Sequence, residues 1–183
     1  MEELNLSDRL RLIAGLIKKG SKVADIGTDH GYLPIFLVKS GITDRVIAMD
    51  VRKGPLKKAE DNTRAFCVSD QIELRLSDGL AALEKGEADT VTISGMGGRL
   101  IQSILTNGME KLDKSTRLIV SPQSELREFR IFLKEKGFLV FRRTYDDRRW
   151  SVLCHYGMCI HGCGLCTADD RGSKASVRRI AFA

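Results

Sequence analysis

The chain has 183 residues, 43% of them hydrophobic and 30% charged, which fits one ordinary folded domain with a short appendage and excludes a disordered chain. No apolar run approaches the ~20 residues of a membrane span, and the acidic start Met1-Glu2-Glu3 does not read as a secretory leader. The net charge of +6 leaves open either a polyanionic partner or a mildly basic protein without one.

Apolar residues at Leu6, Leu10, Ile13, Leu16 and Ile17 recur at helical spacing and predict a helix over residues 6–19, with Ser7 and Asp8 as capping candidates. Residues 22–26 are a short apolar run ended by Gly27, which predicts a strand. A helix over 32–40 closes at Gly41. A strand over 45–50, a helix over 56–67 and a strand over 72–76 follow, and residues 79–85 read as a short helix. The next strand, 90–94, runs into Gly95, Gly97 and Gly98, and a helix over 100–106 comes after it. A strand over 117–121 stops at Pro122, a helix over 124–135 starts from Ser124, and residues 138–145 and 150–155 form a last strand pair. Strands alternating with helices of ~10 residues predict βαβ crossovers, hence an α/β fold with a doubly wound, mostly parallel sheet and an antiparallel last strand. In such sheets ligands sit at the carboxyl ends of the strands.

The first strand ends in Asp25-Ile26-Gly27-Thr28-Asp29-His30-Gly31. Glycines there allow a tight turn and close approach of a ligand to the backbone. The spacing is not G-x-G-x-x-G. It is nearer the D/E-x-G-x-G-x-G of class I methyltransferases, with Asp29 in place of the middle glycine. A carboxylate at that point repels a phosphate, which disfavours a dinucleotide and suits a cationic cofactor such as S-adenosylmethionine. Read alone, the stretch is equally a tight turn with a capping aspartate. Asp50, beside Val51, closes the second strand, where a carboxylate commonly takes both ribose hydroxyls. Asp78, before Gly79, closes the third and either accepts an adenine amine or caps a helix. Ser94-Gly95-Met96-Gly97-Gly98 closes the fourth, where bare glycines admit a target nucleotide or simply make a turn. Gln123 follows the fifth strand and either touches a base edge or opens the next helix. Residues 15–22 mimic a phosphate loop, but the last two residues are in the wrong order and precede a strand instead of following one.

The combination of Val23-Ala24-Asp25-Ile26-Gly27-Thr28-Asp29-His30-Gly31-Tyr32-Leu33-Pro34, Ser77-Asp78-Gly79-Leu80 and Ile93-Ser94-Gly95-Met96-Gly97-Gly98 resembles the bacterial tRNA (adenine-22, N1)-methyltransferase family. Leu6-Ser7-Asp8-Arg9-Leu10 and Leu118-Ile119-Val120-Ser121-Pro122-Gln123 are similar to it too, and the resemblance covers about residues 5–155. It implies a Rossmann-like domain that binds S-adenosyl-L-methionine, a tRNA substrate and a cytoplasmic enzyme without metal. Asp25, Gly27, Asp29, His30, Asp50, Val51, Asp78, Gly79, Ser94 and Gly95 are then expected at the cofactor. Asp29, Gly95 and Met96 are expected at the reacting atoms, and Arg9, Tyr32, Gly97, Gly98 and Gln123 at the target nucleotide. The neutral N1 of adenine is already a nucleophile, so the expected role of Asp29 is to stabilise the cationic product. Arg9, Arg11, Lys18, Lys19, Arg99, Arg142, Arg143, Arg148 and Arg149 are the candidates for tRNA phosphates, each also readable as a solvated charge.

Two features depart from the family. Asp50 stands where the family usually has Glu, and after residue 156 the chain shows no heptads of the expected helical, tRNA-holding domain. The expected division is therefore a methyltransferase domain over 1–156 and a basic, Cys-containing tail over 157–183. Cys154, Cys159, His161, Cys163 and Cys166 include one C-x-x-C but no second knuckle, which reads as incidental thiols rather than a zinc site, in a reducing cytoplasm. The alternatives are a domain that binds S-adenosylmethionine without methylating tRNA, and a nicotinamide-dependent oxidoreductase, against which the missing G-x-G-x-x-G speaks.

Overall fold

The computed structural model describes residues 4, 6–146 and 149–156. Its seven strands are β1 (Val23–Ile26), β2 (Val46–Asp50), β3 (Ile72–Leu76), β4 (Thr90–Met96), β5 (Arg117–Pro122), β6 (Phe138–Asp146) and β7 (Arg149–Tyr156). They make one sheet in the order β3-β2-β1-β4-β5-β7-β6. The first five strands are parallel, and β7 runs antiparallel to both β5 and β6. The helices are α1 (Asp8–Ala14), α2 (Tyr32–Lys39), α3 (Lys53–Ala65), α4 (Gly98–Asn107) and α5 (Leu126–Glu135).

Apolar runs such as Val23–Ile26, buried along their whole length, are what a parallel sheet covered on both faces requires. One face packs Ile101 and Leu105 of α4 and Phe129 and Leu133 of α5 against Ile93 and Val120. The other packs Ile13 of α1 and Ile35 and Leu37 of α2 against Val23, Ala48 and Ile119. Emptying either layer at one large side chain, as in Phe129→Ala, costs about 3–5 kcal/mol by cavity formation. The chain winds outward from β1 through β2 to β3 and then crosses back to β4 on the other side of β1. That reversal opens a crevice beyond the carboxyl ends of β1 and β4.

The doubly wound sheet stands as the strand–helix alternation predicts, with four local differences. The predicted helix over 79–85 is a run of turns. There the Ser77 hydroxyl donates to Gly79 O (2.9 Å) and accepts from Ala82 N–H (3.0 Å), a local alternative to helical bonds. The first helix covers only Asp8–Ala14; it gives way at Gly15 to turns in which Leu16 and Ile17 remain buried, so the apolar spacing marks burial beyond the helix itself. α3 begins at Lys53, earlier than expected, because Pro55 fits a first turn whose N–H groups lack helical partners. The cap of α5 is Glu125 at φ 50 rather than Ser124. The backbone of Cys154 lies in β7 opposite Leu118 and Val140. Cys159, His161, Cys163, Cys166, Arg148 and the 157–183 tail fall outside the described residues.

Candidate active site

A cavity of about 620 Å³ opens at the carboxyl ends of β1 to β4, with α1 along one wall. The β1–α2 turn forms its floor. Gly27 (φ 72) lets the chain turn sharply out of the sheet, and its N–H and that of Thr28 both donate to Met49 O on β2 (2.8 and 2.9 Å). Asp29 follows at φ 53, a left-handed conformation that Asp tolerates better than most residues. Asp50, 4% exposed, holds this turn from the end of β2. Its Oδ2 accepts the Asp29 N–H at 3.1 Å and its Oδ1 accepts the Arg52 N–H at 2.9 Å.

The charges in the cavity are uneven. Asp25, Asp29, Asp50 and Asp78 line it, against Arg9 and Arg52. Arg52 is 68% exposed and stands 3.9 Å from Asp29 Oδ1 and 3.7 Å from Asp50 Oδ1. His30 Nε2 is 3.6 Å from Asp29 Oδ2, and the His30 ring stacks on Tyr32 with centroids 5.7 Å apart and planes 6° apart. Asn62 of α3 donates to His30 O (2.8 Å) and fixes the backbone beneath that pair. Asp25 is buried at the end of β1, where the Thr92 hydroxyl donates to its Oδ1 at 2.5 Å. Loss of solvent raises the Asp25 carboxyl above the ordinary range; the Thr92 and Thr28 hydroxyls and the charge of Arg9 oppose that rise.

The fourth strand ends differently from the other three. Its register with β5 shifts between Ser94 and Met96, a bulge at Gly95 (φ 78) that turns the strand end toward the cavity. A Cβ on Gly95 would lie 2.6 Å from Arg9 Nη1, and one on Gly27 would lie 2.0 Å from Met96 Cε. Both contacts are with the far ends of flexible side chains, so it is the left-handed backbone, φ 72 at Gly27 and φ 78 at Gly95, that calls for glycine at these points.

Of the residues picked from the sequence, Asp25, Gly27, Asp29, His30, Asp50 and Val51 line the cavity. So do Asp78, Gly79, Ser94, Gly95 and Met96, together with Arg9, Tyr32 and Gln123. Gly97 and Gly98 lie beside this lining, at the start of α4. A Cβ at Gly97 would meet Ser124 Oγ at 2.8 Å, and one at Gly98 would meet Ser124 O at 2.6 Å. These two glycines admit the β5–α5 loop against the start of α4, where Gly98 N–H donates to Ser124 O (3.1 Å). The Glu125 carboxyl is held below the ordinary range there, first by the Ser124 hydroxyl and further by the N–H groups of Arg99 and Gly98. Sequence reading missed Thr92, which faces Asp25 from the neighbouring strand, and Arg52, Asn62 and Ser77. For Thr92 the signal was its place among Thr90, Thr92 and Ser94, which alternate with Val91 and Ile93 along the strand.

Among the described residues no helix is long and apolar enough to cross a membrane, and no group of three or more His, Cys, Asp or Glu is placed to hold a metal ion.

A methyltransferase domain family matches residues 6–146 of the chain. The tRNA (adenine(22)-N(1))-methyltransferase of Bacillus subtilis is 40% identical over 156 residues, which cover 84% of this chain and 66% of that protein. The chain thus spans slightly less than two thirds of that relative's length. Among solved structures, the B. subtilis m1A22 tRNA methyltransferase TrmK is similar at TM-score 0.79 and 34% identity, over 85% of this chain and 68% of that one. Streptococcus pneumoniae Sp1610, solved in complex with S-adenosyl-L-methionine, is similar at TM-score 0.78 and 35% identity, over 86% of this chain and 76% of that one. With this sheet order and this cavity at its switch point, the chain belongs to the methyltransferase domain family, in the branch of the bacterial tRNA (adenine-22, N1)-methyltransferases.

Proposed function

We propose that this chain binds S-adenosyl-L-methionine in the strand-end cavity and methylates N1 of an adenine in tRNA, position 22 by its similarity to the B. subtilis enzyme. The observation that carries the reading is the set of four carboxylates, Asp25, Asp29, Asp50 and Asp78, around one cleft. Such a set attracts a sulfonium and an ammonium and repels the pyrophosphate of a dinucleotide. The residues present fit the group. In this reading Asp50 takes the ribose hydroxyls, and Asp78 with Gly79 takes the adenine edge. Asp25 and Gly27 then take the methionine end, beside the bulge at Gly95.

The donor supplies an electrophilic methyl group on sulfur. The chain supplies position and charge. N1 lies on the pairing edge of adenine, so the base has to leave its pairing to react, and a turned-out base needs a surface. The parallel His30–Tyr32 pair at the cavity, with Tyr32 43% exposed, offers one. Holding the two reactants in line supplies most of the rate. Methylation leaves a positive charge on the base, which the half-exposed Asp29 carboxylate stabilises. Arg99 and Lys18, both exposed, are among the candidate cations for tRNA phosphates, and binding is expected to weaken as salt rises.

The test incubates the full chain with S-adenosylmethionine and bulk tRNA, digests the product to nucleosides and identifies them by mass spectrometry, with primer extension to find the site. The expected product is 1-methyladenosine at one position. Methylation of another base, or none at all with the donor bound, overturns the proposal.

A further inference from the structure

We infer that the outward face of α5 is a track for the tRNA backbone, with Arg127, Arg130 and Lys134 each meeting a phosphate of the strand that leads to the cavity. The inference rests on the reading of the chain as a tRNA methyltransferase and adds a surface to it. At about 100° per residue these three side chains fall within an arc of about 60° on α5, and all three are exposed. Phe129 and Leu133 on the opposite side are buried and lock the helix onto the sheet, so the arc points into solvent. Glu128 and Glu135 lie about 80–100° round from Arg127, off the track.

Pattern and place separate this track from ordinary surface charge. On α3, Lys57 and Arg64 are spaced to pair with Glu60 and Asp61, and they do so, which leaves a helix that neutralises itself. α5 instead collects cations on one side and acids on another, which builds a field. It also starts at the cavity rim: Gln123 lines the cavity, and Arg127 follows in the first turn of α5. Arg99, exposed at the start of α4, is near enough for its charge to act on Glu125, the cap of α5. The cations thus run from the rim down α5, where Arg127 to Lys134 covers about 10 Å, the reach of roughly three phosphates on one strand. A membrane surface fits this helix less well, because its apolar side is committed to the core and Ile131 alone of its large apolar side chains is exposed.

The test measures tRNA binding by fluorescence anisotropy over a range of salt, for the full chain and two variants with the same change in charge. Arg127→Gln/Arg130→Gln/Lys134→Gln empties the track. Lys57→Gln/Lys58→Gln/Arg64→Gln removes three cations from α3, which packs beside α2 on the other face of the sheet. An unchanged melting curve shows that each variant is folded. The α5 variant is expected to bind tRNA at least ~10-fold more weakly at low salt and to lower the slope of log affinity against log salt by about 2–3, the share of three phosphates. The α3 variant is expected to stay within about threefold of wild type, because charges beyond a Debye length are screened. Equal losses in the two variants would make the effect one of net charge and overturn the inference. So would an α5 variant with wild-type affinity and slope, or one that loses phosphatidylglycerol vesicles and keeps tRNA. Failure of the proposed activity reads separately: a wild-type chain that binds tRNA and leaves it unmethylated fails the activity, while the slope still decides the track. A wild-type chain that binds no tRNA overturns both.

Discussion

Asp50 ties the floor of the cavity to the cofactor, and Asp50→Asn separates its two tasks. Its carboxylate accepts one backbone N–H on each oxygen, from Asp29 at 3.1 Å and from Arg52 at 2.9 Å, in a site that is 4% exposed. Asparagine keeps one acceptor and turns an NH₂ group toward the other donor, so one backbone N–H loses its partner. An orphaned donor in such a site costs about 1–3 kcal/mol. For a chain of this size ~2 kcal/mol lowers Tm by roughly 4–8 °C. The substitution also takes the charge away from the ribose hydroxyls. Losing one charge-assisted bond, ~1.5–3 kcal/mol, weakens donor binding by roughly 10–150-fold. Thermal scanning and calorimetry with S-adenosylhomocysteine read the two effects apart. Asp50→Glu, which restores both acceptors, is expected to recover most of the binding. An unchanged Tm together with unchanged affinity would make Asp50 a solvated strand end and refute the reasoning.

Asp29→Asn keeps a residue suited to φ 53 and removes only the charge; kcat for methyl transfer is expected to fall ~100-fold or more with Tm little changed, and near-normal turnover would remove Asp29 from the chemistry. The raised Asp25 carboxyl means that the folded chain keeps a proton that the unfolded chain has already lost, so stability falls as pH climbs from the ordinary carboxylate range through the folded value. Asp25→Asn therefore gains in Tm relative to wild type at pH 7 compared with pH 4, in thermal scans at both values; a gap independent of pH contradicts this. Glu87 pairs with Arg75 through two contacts, 2.5 and 2.8 Å, which hold its carboxyl down to about 2. That pair stabilises the fold above the usual carboxylate range and is lost as pH drops toward 2. Glu87→Gln is accordingly expected to lower stability at pH 7 by on the order of 2 kcal/mol, with the difference vanishing in urea melts at the acid end.

The strand–helix alternation was legible because buried parallel strands carry short apolar runs, such as Leu118 to Val120, and several end at glycines or carboxylates. The residues at those ends were legible for the same reason: a strand end in this fold is a ligand edge. What escaped was decided by tertiary contacts. Gly97 and Gly98 have the composition of a binding loop, and the sequence does not show that the β5–α5 loop also packs on them. Residues 79–85 have the apolar spacing of a helix, but the Ser77 hydroxyl and the left-handed Gly79 hold them in turns.

The most direct measurement is a crystal structure of the chain soaked with S-adenosylhomocysteine. The account predicts density along the ends of β1 to β4, with the ribose on Asp50, the base by Asp78 and the amino-acid end toward Asp25 and Gly27. A cleft left empty at saturating ligand, or density bound at another face, would contradict it.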